Sequence, residues 1–211
     1  MGIESIKRLK LLSREEFEKS IDFRLNKKNI LVTFHPVTLE NSTAKEQFQE
    51  LLDAIDELED TNIIFTKANS DTDGRVINQM IDEYVAKNSH KSIGFSSLGQ
   101  LRYLSALKFV DSVVGNSSSG LLEAPSFKIG TINIGDRQKG RIKAESVIDC
   151  EAKKVEISKA FGEIYSKEFQ EKLKNVENPY GENCPSNQIV EVLKNVNLAS
   201  ILKKSFYDLK V

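Results

Sequence analysis

The chain has no tryptophan and only two cysteines, two histidines and two methionines among its 211 residues. Cys150 and Cys184 show no metal-ligand spacing, which argues against a metal site and predicts reduced thiols in a cytoplasmic protein. The 30 basic residues balance the 31 acidic ones, so no basic field favours nucleic acid or an anionic lipid surface. Base stacking would depend on phenylalanine and tyrosine, and no interleaving of aromatic and basic residues is present.

Long apolar segments are also missing, since the longest apolar runs are only a few residues and cannot span a bilayer. The N-terminus has mixed charge and no apolar h-region, so it is not expected to act as a signal peptide. Hydrophobic residues make up 39% and charged residues 29%, which is typical of a globular protein with one sizeable domain. Neither a membrane nor a nucleic acid is therefore expected as a partner.

The sequence does contain a regular alternation of strand and helix patterns. The strand patterns are short apolar runs, which lie at 30–34, 62–66, 92–95, 113–114, 131–134 and 146–149. One helical pattern begins near Ser42, a second follows the polar loop 69–74, and a third is capped by Ser96 and Ser97. A fourth includes Glu123, and the last two cover 153–175 and 186–203. This alternation predicts an α/β fold: a Rossmann-like, doubly wound parallel sheet of about six strands.

The ends of the chain differ from this central pattern. Residues 1–29 are charged, and Ser13 with Glu16 predicts a capping box at a short helix. This segment is interpreted as a lead-in or interdomain connection, and the Rossmann-like domain is predicted over 30–175. A turn at 178–181 introduces a C-terminal segment, 176–211, that ends with a closing helix.

The segment 113–126 is the most informative stretch, and its sequence is VVGNSSSGLLEAPS. A short strand ends at Gly115, small polar residues follow, and a second glycine precedes a predicted helix that carries Glu123. The first N–H groups of a helix have no partner within it, and the macrodipole adds partial positive charge. Ser117 and Ser118 therefore fit a phosphate or pyrophosphate site, with an ordinary serine-capped turn as the alternative.

More polar candidates are expected at the same edge, because ligands bind outside the carboxyl ends of parallel strands. His35 fits phosphate binding, general acid–base catalysis or a purely structural role. Arg137, Lys139 and Arg141 fit neutralisation of a diphosphate, or else form a solvated loop. Glu123 could accept both hydroxyls of a ribose, or be an acid placed for the helix dipole.

Several familiar motifs are not found. The turn lacks the G-x-S-x-G elbow, although Ser118, His35 and Asp136 could in principle supply a triad. Neither a Walker A sequence nor G-x-G-x-x-G occurs. These absences argue against an NTPase and a Rossmann dehydrogenase, and favour a nucleotide diphosphate held by a different kind of turn.

Two motifs together, GNSSSGLLEAPS at 115–126 and NIGDRQKGR at 133–141, resemble the UDP-N-acetylglucosamine 2-epimerases. His35 with Pro36, and the turn at 178–181, fit the same family, and the resemblance extends from about residue 3 to residue 200. It is closest to the hydrolysing branch, which serves sialic acid and related nonulosonic acid synthesis. The non-hydrolysing branch usually has Asp-Ser-Gly-Gly where this chain has Asn-Ser-Ser-Ser at 116–119.

The resemblance implies that the chain binds UDP and the UDP-sugar substrate. Ser117 and Ser118 would contact the diphosphate, and Glu123 would contact the ribose hydroxyls. Arg137 would lie near the phosphates, and His35 near the pyrophosphate and sugar, where it is also the candidate catalytic residue. The remaining substrate-binding candidates are Asn69, Ser96, Ser97 and Arg141, with uracil expected in the loop after the third strand.

The resemblance also implies that this chain is one half of a GT-B arrangement, in which two Rossmann-like domains face each other. The chain looks like the C-terminal half, and the N-terminal domain is then a missing partner. In the family reaction, UDP is eliminated anti across C1–C2 and water adds to a 2-acetamidoglucal to give N-acetylmannosamine. The carboxylates that move the C2 proton lie on the N-terminal domain, so the chain alone is expected to be inactive. No cofactor or metal is expected. A homodimer is expected.

Two other functions remain open from the sequence. One is the nucleotide-sugar-binding C-terminal domain of a GT-B glycosyltransferase, and the other is a stand-alone nucleotide-binding module. The sugar is also open, because N-acetylglucosamine and a diacetylated bacillosamine sugar both fit.

Overall fold

A computed structural model describes residues 2–36, 43–69, 74–181 and 185–198. The described residues form one sheet, whose strands are β1 (Lys28–Thr33), β2 (Thr61–Thr66), β3 (Ser92–Phe95), β4 (Ser112–Gly115), β5 (Gly130–Ile134) and β6 (Val147–Cys150). The strand order is β3-β2-β1-β4-β5-β6, and every neighbouring pair is parallel. This order is that of the doubly wound Rossmann fold, so the predicted fold class is confirmed.

Helices connect the strands and cover both faces of the sheet. They are α1 (Gly2–Arg8), α2 (Arg14–Ile21), α3 (Ala44–Ile55), α4 (Gly74–Lys87), α5 (Gly99–Ala106), α6 (Ser119–Leu122), α7 (Lys154–Ile164), α8 (Lys167–Lys174) and α9 (Pro185–Asn195). A short 3-10 helix, Ala124–Phe127, follows α6. Within the described part of the chain, no helix is long and apolar enough to cross a membrane.

The core lies in two layers, one on each face of the sheet. Successive side chains of a strand point to opposite faces, so a strand covered on both sides must be apolar throughout. In β1, Ile30 and Val32 pack in the layer that contains α3, α4 and α7. Leu31 packs in the opposite layer, which contains α2 and α5. Both faces of β1 are therefore covered, as in the inner strands of a doubly wound parallel sheet.

The lead-in contributes to that second layer. Phe17 and Ile21 of α2 are 0% and 3% exposed and belong to the same cluster as Leu31. The predicted capping box is confirmed, because Ser13 Oγ accepts the Glu16 N–H and the Glu16 carboxylate accepts the Ser13 N–H. The boundary near residue 29 stays a prediction, although β1 already begins at Lys28.

Three predicted helices differ from the structure. The single helix over 153–175 is wrong, because Ser166 has an extended backbone and caps a separate helix, α8, by accepting the Phe169 N–H. The first residue of α5 is Gly99, and Leu98 precedes it as a cap without a side-chain bond, although Ser97 Oγ accepts the Gly99 N–H. The closing helix ends at Asn195. The rest of the predicted span beyond 198, Ser42, loop residues 70–73 and Cys184 lie outside the described residues.

Candidate functional site

The chain order of the strands reverses between β1 and β4, which are neighbours in the sheet. From this pair the chain continues outward in opposite directions, to β2 on one side and to β5 on the other. The loops at the carboxyl ends therefore diverge and leave the crevice in which such folds hold ligands. His35 lies just after β1 and Asn116 directly after β4, so both are at this switch point.

Gly115 makes the tight exit from β4 possible. Its φ is +128°, and a Cβ built on it would lie 2.1 Å from the carbonyl oxygen of Thr33 on β1. Only glycine adopts such a backbone at this close approach without strain. The first glycine of the motif is thus required because two backbones meet there.

Asn116 connects three loops at the switch point. Its side-chain Oδ1 accepts the His35 N–H at 2.7 Å, and its Nδ2 donates to the His35 carbonyl at 2.7 Å. Its own carbonyl accepts from Arg137 Nη1 at 3.1 Å and from Gln138 Nε2 at 2.8 Å. Asn116 is only 1% exposed, so these bonds are shielded from water and hold the loops after β1, β4 and β5 in one arrangement.

A cleft of about 360 Å³ lies beside this arrangement, within the usual range of small-molecule sites. Four of the predicted site residues line it: Asn69, Ser96, Ser97 and Glu123. Other lining residues are Thr66, Lys67, Leu98, Gln100, Tyr103 and Leu104. His35, Ser117, Ser118, Arg137 and Arg141 are not part of its lining, so the predicted residues divide between the cleft and the switch point.

Glu123 lies at the junction of α6 and the 3-10 helix and faces the cleft. Burial raises the pKa of its carboxyl group, and the nearby Ser119 hydroxyl counteracts part of that increase. Its Oε2 is buried and has no hydrogen-bond partner among the described residues. A buried acceptor without a partner is costly in a free protein, and a bound hydroxyl would satisfy it.

The serine turn differs from the predicted helix N-terminus. Helix α6 is a single turn, so its macrodipole is small and the predicted dipole argument carries little weight. The N–H groups of Gly120 and Leu121 already donate to the Ser117 and Ser118 carbonyls. Within the described chain, the N–H groups of Ser117 and Ser118 make no hydrogen bond, and these two donors remain for an anion.

His35 is half-buried and lies against the loop that follows β2. Its Nδ1 accepts the Asn69 N–H at 3.4 Å, which in a neutral imidazole leaves the proton on Nε2. The backbone of His35 is held on both sides by the Asn116 amide. The structure thus links two predicted residues, His35 and Asn69, and places the ring between the switch point and the cleft. The other histidine, His90, is exposed.

The basic residues of the loop 137–141 differ in whether they contact the site. Arg137 is exposed but reaches the Asn116 carbonyl. Lys139 pairs with Asp136 at 3.4 Å, and both side chains are largely exposed. Within the described residues, no hydrogen bond or ion pair ties the exposed Arg141 side chain to another group. Arg137 therefore has structural support as a site residue that Arg141 lacks.

Four further residues shape the site and were not identified from the sequence as site residues. They are Asn116, Gln138, Tyr103 and Asn178. Gln138 is 2% exposed and Asn178 is 9% exposed, and both donate to the serine segment or its neighbours. Asn116 lies within the motif at 115–126 and Asn178 within the turn at 178–181, so their positions in these segments could have indicated a role in the site. Tyr103 carries no such signal, because it lies on a helix of ordinary amphipathic pattern.

The sheet order and the cleft at its switch point place this chain in the Rossmann-like class of α/β proteins, in which ligands bind at this edge. Within that class, the chain belongs to the UDP-N-acetylglucosamine 2-epimerase family, whose family model matches residues 1–194.

The similar proteins of known function include hydrolysing 2-epimerases. The "GDP/UDP-N,N'-diacetylbacillosamine 2-epimerase (hydrolyzing)" of Campylobacter jejuni is 43% identical over 205 residues, which cover 97% of this chain and 53% of the relative. The "Polysialic acid biosynthesis protein P7" of Escherichia coli is 34% identical and covers 99% of this chain and 53% of the relative. The chain thus spans about half the length of these curated relatives.

Solved structures agree on the fold. The UDP-GlcNAc 2-epimerase of Methanocaldococcus jannaschii, in complex with UDP-GlcNAc and UDP, matches with a TM-score of 0.70 and 20% identity over 92% of this chain and 52% of that one. The S. aureus MnaA–UDP structure matches with a TM-score of 0.67 and 18% identity, again over 92% of this chain and 52% of that one. The predicted fold, one Rossmann-like half of a GT-B arrangement, is confirmed. A glycosyltransferase from Rickettsia africae matches less well, with a TM-score of 0.54.

Proposed function

We propose that this chain is the UDP-binding half of a hydrolysing UDP-sugar 2-epimerase. The observation that carries the proposal is Glu123, a carboxylate that lines a nucleoside-sized cleft and keeps one buried oxygen unpaired. Family membership and relatives named as hydrolysing 2-epimerases support the reaction class. The sugar is assigned only as an N-acetylated hexosamine, since these names include N,N'-diacetylbacillosamine and N-acetylglucosamine.

The ribose fits Glu123 because a vicinal diol supplies two O–H donors in the geometry of one carboxylate. Its buried Oε2 would gain a hydrogen bond that the described residues do not supply. The base would lie further into the cleft, where Leu98 is 2% exposed and Ser96 and Ser97 present backbone groups. Apolar contact for the ring and a few polar groups at its edge are the usual features of such a pocket.

The diphosphate would lie between the cleft and the switch point. Ser117 and Ser118 offer two N–H donors and two hydroxyls there, and Arg137 adds a guanidinium that is already held at the Asn116 carbonyl. His35 would contact the diphosphate from its position between the Asn116 amide and the Asn69 backbone. Asn69 borders the site, and Arg141 belongs to its outer edge.

This half of the site would act on the leaving group. In the proposed elimination the C2 proton is removed, the C1–O bond breaks, and the electron pair stays on the β-phosphate of UDP. The N–H groups of Ser117 and Ser118, with Arg137, would stabilise that charge, and His35 could donate a proton to it. The base for the C2 proton is assigned to the part of the full-length protein outside this chain. Water then adds to the glucal product.

Helix α9 supports the presence of such a further part. Its apolar residues are unusually exposed for an amphipathic helix: Ile189 is 47% exposed, and Val192 and Leu193 are each 66% exposed. The helix is anchored at its start, where Ser186 bonds Glu4 of α1, which is 5% exposed. We therefore assign 1–29 and 176–211 to the connection with an N-terminal domain, and 30–175 to UDP binding. A cytoplasmic location, a homodimer and a role in nonulosonic acid synthesis complete the proposal.

Calorimetric titration with UDP, GDP and UDP-N-acetylglucosamine tests the ligand. We expect UDP to bind, and Glu123→Ala to weaken its binding by roughly 1–3 kcal/mol, because a charge-assisted hydrogen bond is lost. Glu145→Ala is the control, since this exposed glutamate lies outside the cleft and should leave the affinity unchanged. No heat of UDP binding at millimolar ligand would contradict the proposal, and equal affinity of the Glu123→Ala variant would show that this carboxylate does not contact the ligand.

The purified chain alone should not turn over UDP-N-acetylglucosamine. The groups proposed here hold and stabilise the leaving UDP, while the proton transfer at C2 needs groups from elsewhere in the protein. Chromatographic detection of N-acetylmannosamine and UDP checks this expectation, with a full-length 2-epimerase as the positive control. Product release by the chain at a rate near that of the control would show that the catalytic base is present in these residues.

A further inference from the structure

We infer that Tyr103 and Ser119 are positioning residues, which form a hydroxyl relay that orients the Glu123 carboxylate for a ribose. The inference rests on the proposed function and adds a consequence: the relay makes the site select ribonucleotides over 2'-deoxyribonucleotides.

The relay joins two helices, α5 and α6. Tyr103 lies on α5 and lines the cleft, while Ser119 is the first residue of α6. Their hydroxyl groups are hydrogen-bonded to each other. Ser119 precedes Glu123 by one helical turn and its carbonyl accepts the Glu123 N–H at 2.9 Å, so the two side chains lie on the same face of this turn. The Tyr103–Ser119 hydrogen bond thus lies one helical turn from Glu123, and Tyr103 and Glu123 both line the cleft.

The direction of the protons follows from the number of donors. Ser119 has one hydroxyl proton, so when it is directed to the ionised Glu123 its oxygen must accept from Tyr103. Burial raises the pKa of Tyr103 to about 12, while the hydrogen bond with Ser119 opposes this increase and the Glu123 charge adds a smaller one. Tyr103 thus keeps its proton at neutral pH and is the donor at the start of the row.

Glu123 needs such support because regular helix ends before it. Helix α6 stops at Leu122, and the 3-10 helix begins at Ala124. On the backbone side, Asn178 Nδ2 donates at 2.8 Å both to the Leu122 carbonyl and to Ser126 Oγ. On the side-chain side, the Ser119 hydroxyl would engage one carboxylate oxygen, and Oε2, which has no hydrogen-bond partner among the described residues, would be left for a ligand hydroxyl. The carboxylate can then offer a fixed oxygen to the ribose.

Tyr103→Phe tests the relay, because it removes a single oxygen and keeps the ring that fills the cleft wall. Calorimetry on the full chain would compare UDP with 2'-deoxy-UDP, and the ratio of their affinities is the readout. We expect this ratio to fall about 3- to 10-fold in Tyr103→Phe and in Ser119→Ala, in line with the loss of one hydrogen bond. The double variant should lose no more than either single variant, because both interrupt the same row.

Tyr84→Phe is the matched control. Its hydroxyl donates to Asp56 at 2.7 Å outside the cleft, so the affinity ratio should equal that of the unmodified chain. A merely structural role of Tyr103 would lower the affinities for both nucleotides equally and leave the ratio unchanged. That result would overturn the relay.

The outcomes separate this inference from the proposed function. If the unmodified chain does not bind UDP, or if Glu123→Ala keeps the ratio, the ribose assignment itself fails and the selectivity fails with it. If Glu123→Ala lowers the ratio but Tyr103→Phe and Ser119→Ala do not, only the relay is overturned. A second measurement needs no ligand: in carboxyl NMR titrations, Tyr103→Phe and Ser119→Ala should raise the pKa of Glu123. An unchanged pKa in both variants would also overturn the relay.

Discussion

Replacing Gly115 by alanine should lower the free energy of unfolding by roughly 3–5 kcal/mol, a large fraction of the stability of an ordinary domain. Two effects add at this position. Its φ of +128° strains any residue with a side chain, and the new Cβ would lie 2.1 Å from the Thr33 carbonyl oxygen. The obstacle is backbone in the neighbouring strand, so no rotamer change can relieve it. Urea denaturation followed by circular dichroism measures the loss.

Gly162→Ala is the matched control for this substitution. Gly162 lies within α7, and a Cβ there would have no neighbouring atom within 4 Å. The same change should therefore stabilise the chain by up to about 1 kcal/mol, through the higher helix propensity of alanine. A Gly115→Ala variant as stable as the unmodified chain would show that the strands can separate at the switch point without cost.

Replacing Asn116 by leucine should lower the free energy of unfolding by about 2–4 kcal/mol, because the N–H and carbonyl groups of His35 would both lose their partner. Leucine has the same number of side-chain heavy atoms and leaves no cavity, so the effect would come mainly from lost hydrogen bonds. UDP binding should weaken as well, since the loop that carries His35 would no longer be held. Asn62→Leu is the control, because Asn62 makes one such bond, to the Arg24 carbonyl, and its loss should be smaller.

Asn116→Asp adds a pH dependence to the same test. The introduced carboxyl group can donate to the His35 carbonyl only when it is protonated, so its pKa in the folded state should lie above the ordinary value of about 3.9. The folded state then binds more protons than the unfolded state, and stability falls as the pH rises through that raised pKa. The variant should approach the unmodified chain near about pH 4 and be clearly weaker at about pH 8. Equal stability at both pH values would contradict the donor role of Asn116.

Much of the fold follows from local pattern. The run at 30–34 is apolar at every position except Thr33, and such a run is typical of a strand covered on both faces, so the local pattern predicts a strand of a parallel sheet there. Ser13 and Glu16 determine a helix start through their own hydrogen bonds, and that cap is confirmed. The break at Ser166 was missed, because apolar spacing continues across it and only the cap geometry interrupts the helix.

The candidate site was predictable where chemistry and strand ends coincide. His35, Asn69, Ser96, Ser97 and Glu123 follow strands or lie in the motif, and the structure places the last four around one cleft. Their roles toward a nucleotide stay predictions. Arg141 follows the same basic alternation as Arg137, but only Arg137 makes a bond to the turn, since loop conformation decides which side chain points inward.

The sequence by itself determined the alternation of strands and helices, the glycine at the end of β4 and the acidic residue that follows it, because each depends on neighbours within a few positions. Tertiary structure alone decided that Asn116 holds His35 across 81 positions of sequence, and that Tyr103 meets Ser119 beside Glu123. Such contacts depend on how the elements pack, and local residue pattern contains little information about packing. The serine turn is therefore part of a site whose orientation is set by residues from other segments of the chain.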